Sequence, residues 1–119
     1  MSFNWLQFIT LAESLSNQKT EECYRSAISR IYFGVFCLLR NKKGYKQYKK
    51  SDVHRVVISA YKNSSDKFEK IVGKLLDELR LERNDADYDD DKSITEDLVE
   101  RCLSKSRAIL RLEHFNETN

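Results

Sequence analysis

The sequence contains no proline and only three glycines among its 119 residues. Proline ends helices, and glycine supplies the left-handed conformations of tight turns, so sheets of short strands normally use both. A chain that lacks these residues is suited to long, uninterrupted helices. We therefore expect an all-α fold.

The apolar residues follow the helical repeat in two long segments. From Tyr24 to Leu39 they recur at steps of three and four, and a second such stripe runs from Phe68 to Leu79 and continues into residues 83–88. A stripe of this kind forms one broad buried face on a helix. We also place a first helix over about residues 4–16 and a last helix whose apolar residues face inward from Leu98 onward. Together these helices predict an antiparallel up-and-down bundle of four main helices plus a short helix.

Short polar residues and glycine mark the predicted helix ends. The predicted caps are Asn17 for the second helix, Gly44 as a left-handed residue after it, Ser51 for the short helix, and Ser93 with Glu96 as a capping box for the last helix.

The length predicts a single domain over residues 1–119, with a core over about 5–113 and a frayed tail at 116–119. No apolar run reaches the ~18–20 residues of a membrane span, and no signal peptide is present. Three cysteines without metal-type spacing suit a reducing compartment. We expect a cytoplasmic protein that does not contact membranes.

Charge is divided unevenly along the chain. Residues 1–62 carry eleven Lys and Arg against four Asp and Glu, whereas residues 63–119 carry ten against fifteen. Such a basic half favours an anionic partner such as RNA, although a solvated surface and internal ion pairs of the arginines remain alternatives. The candidate RNA-binding residues are Arg25, Arg30, Lys42, Lys43, Lys46, Lys49, Lys50, Tyr45 and Tyr48.

Metal and cofactor chemistry has little support in the sequence. The two histidines, His54 and His114, lie far apart, and the acidic residues at 85–91 lack the glycine and the distant glutamate of a calcium loop. We interpret these acidic residues as a solvated loop and expect no metal and no cofactor.

Two segments resemble a known family. Residues 25–36, RSAISRIYFGVF, are similar to the helix signature R-x-A-I-x-R-x-Y-Y-x-x-F of HEPN domains. Residues 79–88, LRLERNDADY, resemble the second signature L-R-x-x-R-x-x-A-D-Y of small stand-alone HEPN proteins. The resemblance covers roughly residues 5–113.

This resemblance implies a helical bundle that forms a homodimer, with the second signature of each protomer in a shared cleft. Many HEPN proteins are metal-independent ribonucleases whose motif is Arg, four to six residues, then His, and the RNA 2′-hydroxyl is the nucleophile. Family members are often toxins paired with a nucleotidyltransferase antitoxin, or parts of defence systems. The resemblance therefore implies RNA and a nucleotidyltransferase as partners.

Carried over by position, the candidate catalytic residues are Arg83, Asn84, Asp87 and Tyr88, and Tyr88 stands where the motif histidine is expected. Arg83 would stabilise a pentacoordinate phosphate and Tyr88 would orient the 2′-hydroxyl, with Asp87 or His54 as alternative bases. Two other readings stay open: a structural Arg–Asp–Tyr network, and a non-catalytic module in which a nucleotidyltransferase adenylylates Tyr88.

Overall fold

The computed structural model describes residues 2–115, which form five α-helices and no strand. In chain order these are α1 (Leu6–Ser16), α2 (Glu21–Lys42), α3 (Val53–Lys62), α4 (Lys67–Tyr88) and α5 (Glu96–Leu112). The predicted all-α bundle of four main helices and one short helix is confirmed. The predicted frayed tail at 116–119 lies outside the described residues.

Helix α2 is at the centre of the bundle, since it packs against each of the other four helices, while α4 packs against α2, α3 and α5. The inward stripes are those that the sequence predicts. Tyr32 and Leu39 of α2 and Leu76 and Leu79 of α4 have no exposed surface. Two long helices thus provide most of the core, and their ends determine which polar residues meet at the surface.

Two predicted helix starts are wrong by a few residues. Asn17 has helical dihedral angles and completes the last turn of α1, so Thr20, which is extended, caps α2 and accepts a hydrogen bond from the Cys23 amide at 3.4 Å. Helix α3 has Asp52 rather than Ser51 at its N-cap. An N-cap needs an extended or non-helical backbone, which the identity of a polar residue alone does not reveal.

The start of α5 is shifted for a tertiary reason. Thr95, not Ser93, is the N-cap residue, and its hydroxyl accepts a hydrogen bond from the Leu98 amide at 3.3 Å. Ile94 between them is buried, so the chain first enters the core and begins the helix only afterwards. The predicted capping box of Ser93 and Glu96 is therefore not formed.

The C-terminus of α2 follows the prediction. Gly44 has φ 89°, and the amides of Gly44 and Tyr45 donate to the carbonyls of Asn41 and Arg40 at 3.1 and 2.9 Å. These two bonds form a Schellman motif, which requires the left-handed conformation that glycine adopts without strain.

A second glycine lets α1 approach α2 closely. A Cβ atom on Gly34 would lie 3.1 Å from the Trp5 carbonyl oxygen, the Phe8 Cβ and the Ile9 Cδ1. The absence of a side chain at this position thus brings the aromatic residues at the start of the chain directly against α2.

No helix within residues 2–115 combines the length and apolar character needed to cross a membrane.

Candidate functional site

The last turn of α4 is held by the arginine that begins the first signature. Arg25 Nη2 donates to the carbonyl of Lys92 at 2.6 Å, and Nη1 donates to the carbonyls of Ala86 at 3.1 Å and Asp85 at 3.4 Å. Its Nε donates to Glu21 at 3.1 Å. A cation at a helix C-terminus satisfies carbonyls that the helix leaves unpaired. The contacts of Arg25 support a structural role, and its contact with RNA stays a prediction.

Arg83 lies on this last stretch of α4, with 18% of its side chain exposed. Its Nη1 donates to the Asn84 side chain at 3.0 Å, and its Nε lies 3.0 Å from Asp87 Oδ2 as an ion pair whose N–H is not aligned as a hydrogen bond. Ser29 donates to the same Asp87 oxygen at 3.3 Å. The Arg83 guanidinium is therefore oriented but retains unused donors.

Aromatic rings support two arginines in an alternating series. Arg30 Cζ lies 4.8 Å from the Phe8 ring centroid and 5.9 Å from that of Phe33, and Arg83 Cζ lies 4.8 Å from Phe33 and 5.7 Å from Tyr88. These distances are within the cation–π range of about 6 Å. We call this series, Phe8–Arg30–Phe33–Arg83–Tyr88, the aromatic ladder. It extends from α1 across α2 to the end of α4.

A groove of about 740 Å³ runs beside the aromatic ladder. It is lined by Leu11 of α1, by Ser29 and Arg30 of α2, and by Asp87 at the end of α4. Its volume lies in the range of ligand-binding clefts. Residues from both signatures thus share one surface depression.

Helix α3 brings His54 to the inner side of the ladder. His54 Nδ1 is 2.6 Å from the Tyr32 hydroxyl, and its ring stacks on Phe36 at a centroid distance of 4.1 Å. It also meets Phe33 edge to face at 5.9 Å, and Arg83 lies over the Tyr32 and Phe33 rings. The histidine left open as an alternative base therefore lies against the same two rings as Arg83.

The surroundings of His54 favour its neutral form. Burial and then the positive charges of Arg80, Arg83 and Arg40 hold the pKa of His54 below its ordinary value. Burial raises the pKa of Tyr32, so its phenol keeps its proton, and we assign this proton as donated to His54 Nδ1. The neutral imidazole then carries its own proton on Nε2. In this arrangement His54 accepts a hydrogen bond at Nδ1 and can donate one from Nε2, so neither nitrogen has a free lone pair to take a proton from a substrate.

The basic loop after α2 is partly tied to the protein itself. Lys42 Nζ donates to the Glu113 carbonyl at 2.5 Å and pairs with its carboxylate at 3.3 Å. Lys43 Nζ pairs with Glu69 at 2.7 Å and lies over the Tyr61 ring. Both partners belong to the acidic half of the chain. The sequence leaves internal ion pairs open for the arginines, and here the lysines form them.

The rest of the loop is more exposed. Tyr45 and Tyr48 meet edge to face at 6.0 Å, and the Tyr48 hydroxyl donates to the carboxylate of Asp52, the N-cap residue of α3. Lys46, Lys49 and Lys50 are exposed. RNA binding by these five residues stays a prediction, and none of them belongs to the aromatic ladder.

The sequence interpretation missed three residues at this site. Phe8 and Phe33 support the arginines, and Arg80 adds positive charge beside Tyr32 and His54. The three-residue spacings of Arg30 with Phe33 and of Arg80 with Arg83 were a usable signal, since residues three apart are neighbours on a helix. The contact with Phe8 comes from another helix and left no such signal.

The depressed pKa of His54 predicts a pH dependence of stability. The unfolded chain binds a proton at His54 below about pH 6.5, whereas the folded chain binds it only at lower pH. The contribution of this histidine to the free energy of unfolding is therefore complete above pH 6.5 and is lost as the pH falls below that value. We expect His54→Gln to weaken this dependence between pH 6.5 and about 5, above the range in which Asp and Glu titrate. Urea denaturation at a series of pH values measures it.

The matched control is His114→Asn. His114 is exposed, and its φ of 61° suits asparagine. The control should keep the wild-type pH dependence. Equal pH dependence in wild type and His54→Gln would contradict the neutral assignment of His54.

Comparison with known proteins agrees with this geometry. The family model described as HEPN domain matches residues 8–115. Searches of curated proteins and of solved structures find no match. The matched range includes all residues of both signatures, so the predicted resemblance is confirmed. The chain belongs to the HEPN domain family.

Proposed function

We propose that this HEPN protein acts on RNA, binding the phosphodiester backbone through Arg83 and cleaving it slowly without a metal ion. HEPN domains commonly dimerise and bind RNA. The observation that carries the proposal is the state of Arg83: it is fixed by aromatic rings and one ion pair at Nε, yet its Nη2 makes no hydrogen bond within residues 2–115.

An arginine in this state is well suited to phosphate. The guanidinium presents its N–H groups in a planar fork that matches two phosphate oxygens, and its charge is retained when a ring supports it. Arg30 on the same ladder forms no ion pair within residues 2–115, and Arg80 adds charge nearby. These groups together favour a polyanion along the aromatic ladder, of which Arg30 also lines the groove.

The cleavage step follows from RNA chemistry. The 2′-oxygen attacks the adjacent phosphorus, the O2′–P bond forms and the P–O5′ bond breaks, which leaves a 2′,3′-cyclic phosphate and a 5′-hydroxyl. The 2′-hydroxyl loses its proton to a base, and the leaving 5′-oxygen gains one. Arg83 would stabilise the charge of the pentacoordinate phosphate, and the Tyr88 phenol would orient the 2′-hydroxyl.

We expect slow RNA cleavage because the site offers no efficient base to take the proton of the 2′-hydroxyl. A tyrosine with a pKa near ~10 is a weak base at neutral pH. Asp87 Oδ2 is engaged by Arg83 and Ser29, and His54 Nδ1 is engaged by Tyr32. The candidate bases that the sequence offers are thus each committed to a neighbour.

The proposal includes a homodimer with Arg83 at its cleft. Leu81 and Tyr88 lie seven residues apart on α4, so they share one face, and they are 60% and 72% exposed. Two large exposed side chains on one helix face beside a polar site favour burial by a partner protomer.

The test combines RNA binding and cleavage, with EDTA present throughout. Arg83→Ala should weaken binding at least about tenfold, because a hydrogen bond to a charged group contributes about 1.5–3 kcal/mol, and should reduce the salt slope by about 1. Tyr88→His restores the Arg–x4–His spacing at an exposed position and should raise cleavage about 100-fold, a typical gain from general acid–base catalysis. Fluorescence anisotropy and gel analysis of a labelled RNA measure both.

Arg101→Ala is the matched control, since Arg101 is an exposed arginine of α5, a helix that contributes no residue to the aromatic ladder. It should bind and cleave RNA as wild type does. Unchanged binding in Arg83→Ala, or a Tyr88→His protein as slow as wild type, would count against the site.

The biological role that we propose is that of a toxin or effector in a toxin–antitoxin or defence system. A second candidate is a non-catalytic module regulated by a nucleotidyltransferase, which the exposure of Tyr88 favours. Its hydroxyl makes no hydrogen bond within residues 2–115 and could attack the α-phosphorus of ATP, with pyrophosphate as leaving group. The added phosphate would lie near Arg83 and compete with RNA for it.

Co-expression with the product of the neighbouring gene tests the second candidate. We expect mass spectrometry to find one adenylyl group on Tyr88, and none after Tyr88→Phe. Tyr48→Phe is the control, because the Tyr48 hydroxyl is already bonded to Asp52 at 2.7 Å. An unmodified Tyr88, or an adenylyl group on another tyrosine, would refute it.

A further inference from the structure

Three aromatic side chains lie together at the start of the chain. The ring centroids of Phe3 and Trp5 are 4.9 Å apart, those of Phe3 and Phe8 5.6 Å, and those of Trp5 and Phe8 5.1 Å. We call these three residues the N-terminal aromatic cluster. Its position follows from Gly34, where the missing side chain lets α1 approach α2 closely.

No two of these rings are stacked face to face. All three pairs meet edge to face, with interplanar angles of 66–86°. Phe3 is 50% exposed, although a large apolar ring is usually buried when a core is available. A half-exposed ring whose face is not stacked on a neighbouring ring is suited to stacking with a planar ligand.

Positive charge flanks the cluster on two sides. Arg30 lies over the Phe8 ring at 4.8 Å, and Lys46 Nζ donates to the hydroxyl of Ser2, the residue before Phe3, at 3.2 Å. Since Phe8 is also the first member of the aromatic ladder, the cluster continues into Arg30, Phe33 and Arg83. Three adjacent rings are therefore followed by alternating cations and rings from Arg30 to Tyr88.

We propose that the N-terminal aromatic cluster is a nucleobase-stacking subsite for single-stranded RNA, continuous with the phosphate site at Arg83 through the aromatic ladder. Proteins bind single strands by combining a basic track for the backbone with exposed rings for the bases. A paired strand keeps its bases stacked on one another, so the subsite selects unpaired RNA. This inference rests on the proposed RNA function and adds the form of RNA that is recognised.

The experiment separates bases from phosphates. Two labelled single strands of equal length are used as probes, an oligoadenylate and an oligomer of abasic ribose phosphates. Phe3→Ala should weaken binding of the oligoadenylate about tenfold, since stacking contributes about 1–3 kcal/mol per base, and leave the abasic probe unchanged. Arg83→Ala should weaken binding of both probes.

Phe68→Ala is the matched control. Phe68 is also 50% exposed and also has a cation, Lys67, over its ring at 5.4 Å, but it lies at the other end of α4, about 22 Å from Arg83 along the helix axis. It should bind both probes as wild type does. Phe3→Leu, which keeps an apolar side chain but removes the ring, should behave like Phe3→Ala.

A second readout requires no substitution. Trp5 is the single tryptophan of the sequence and touches Phe3, so stacking of a base on the cluster should quench its fluorescence with oligoadenylate and not with the abasic probe. Equal affinity of Phe3→Ala and wild type for oligoadenylate, or Trp5 emission unchanged at saturation, would overturn the subsite and leave the Arg83 site intact. Failure of wild type to bind either probe would overturn both.

Discussion

The arrangement of the site depends on the contact between Arg25 and the end of α4. One guanidinium donates to the carbonyls of Asp85, Ala86 and Lys92, of which the Asp85 carbonyl also accepts the Asp89 amide. It thereby fixes the last turn of α4 against α2, and Arg83 and Asp87 with it. Because the donors of Arg25 are already bonded within the protein, its role is to position another arginine, Arg83.

Arg30 and Arg83 are supported by aromatic rings, which attract a cation by their quadrupole and leave its N–H edges free. Arg30 forms no ion pair within residues 2–115, whereas Arg83 also pairs through Nε with Asp87 at 3.0 Å, so its outer Nη groups are the ones left for a ligand. Phe8 and Phe33 support Arg30, and Phe33 also supports Arg83. The positive charge of the arginines also favours the neutral form of His54. The arginines therefore attract anions and disfavour an imidazolium at His54. Phosphate binding is therefore better supported at this site than rapid proton transfer.

The sequence predicts what depends on local periodicity. The stripes of α2 and α4, the left-handed Gly44 and the position of Arg83 at the end of α4 all follow from residues near one another in the chain. The predictions failed at Asn17 and Ser93, where backbone angles and the burial of Ile94 decide the cap. The stacking of Arg30 on Phe8 and the bond of His54 to Tyr32 join different helices, so no sequence spacing reveals them.

Ring-supported arginines are proposed to bind RNA, and the arginine that holds α4 is not. An NMR titration of the arginine Nε–H signals with a short single-stranded RNA tests this. We expect shifts for Arg30 and Arg83, with little change for Arg25, whose donors are already bonded, or for Arg101 on α5. Shifts confined to Arg25 or Arg101, with Arg30 and Arg83 unaffected at saturation, would contradict it.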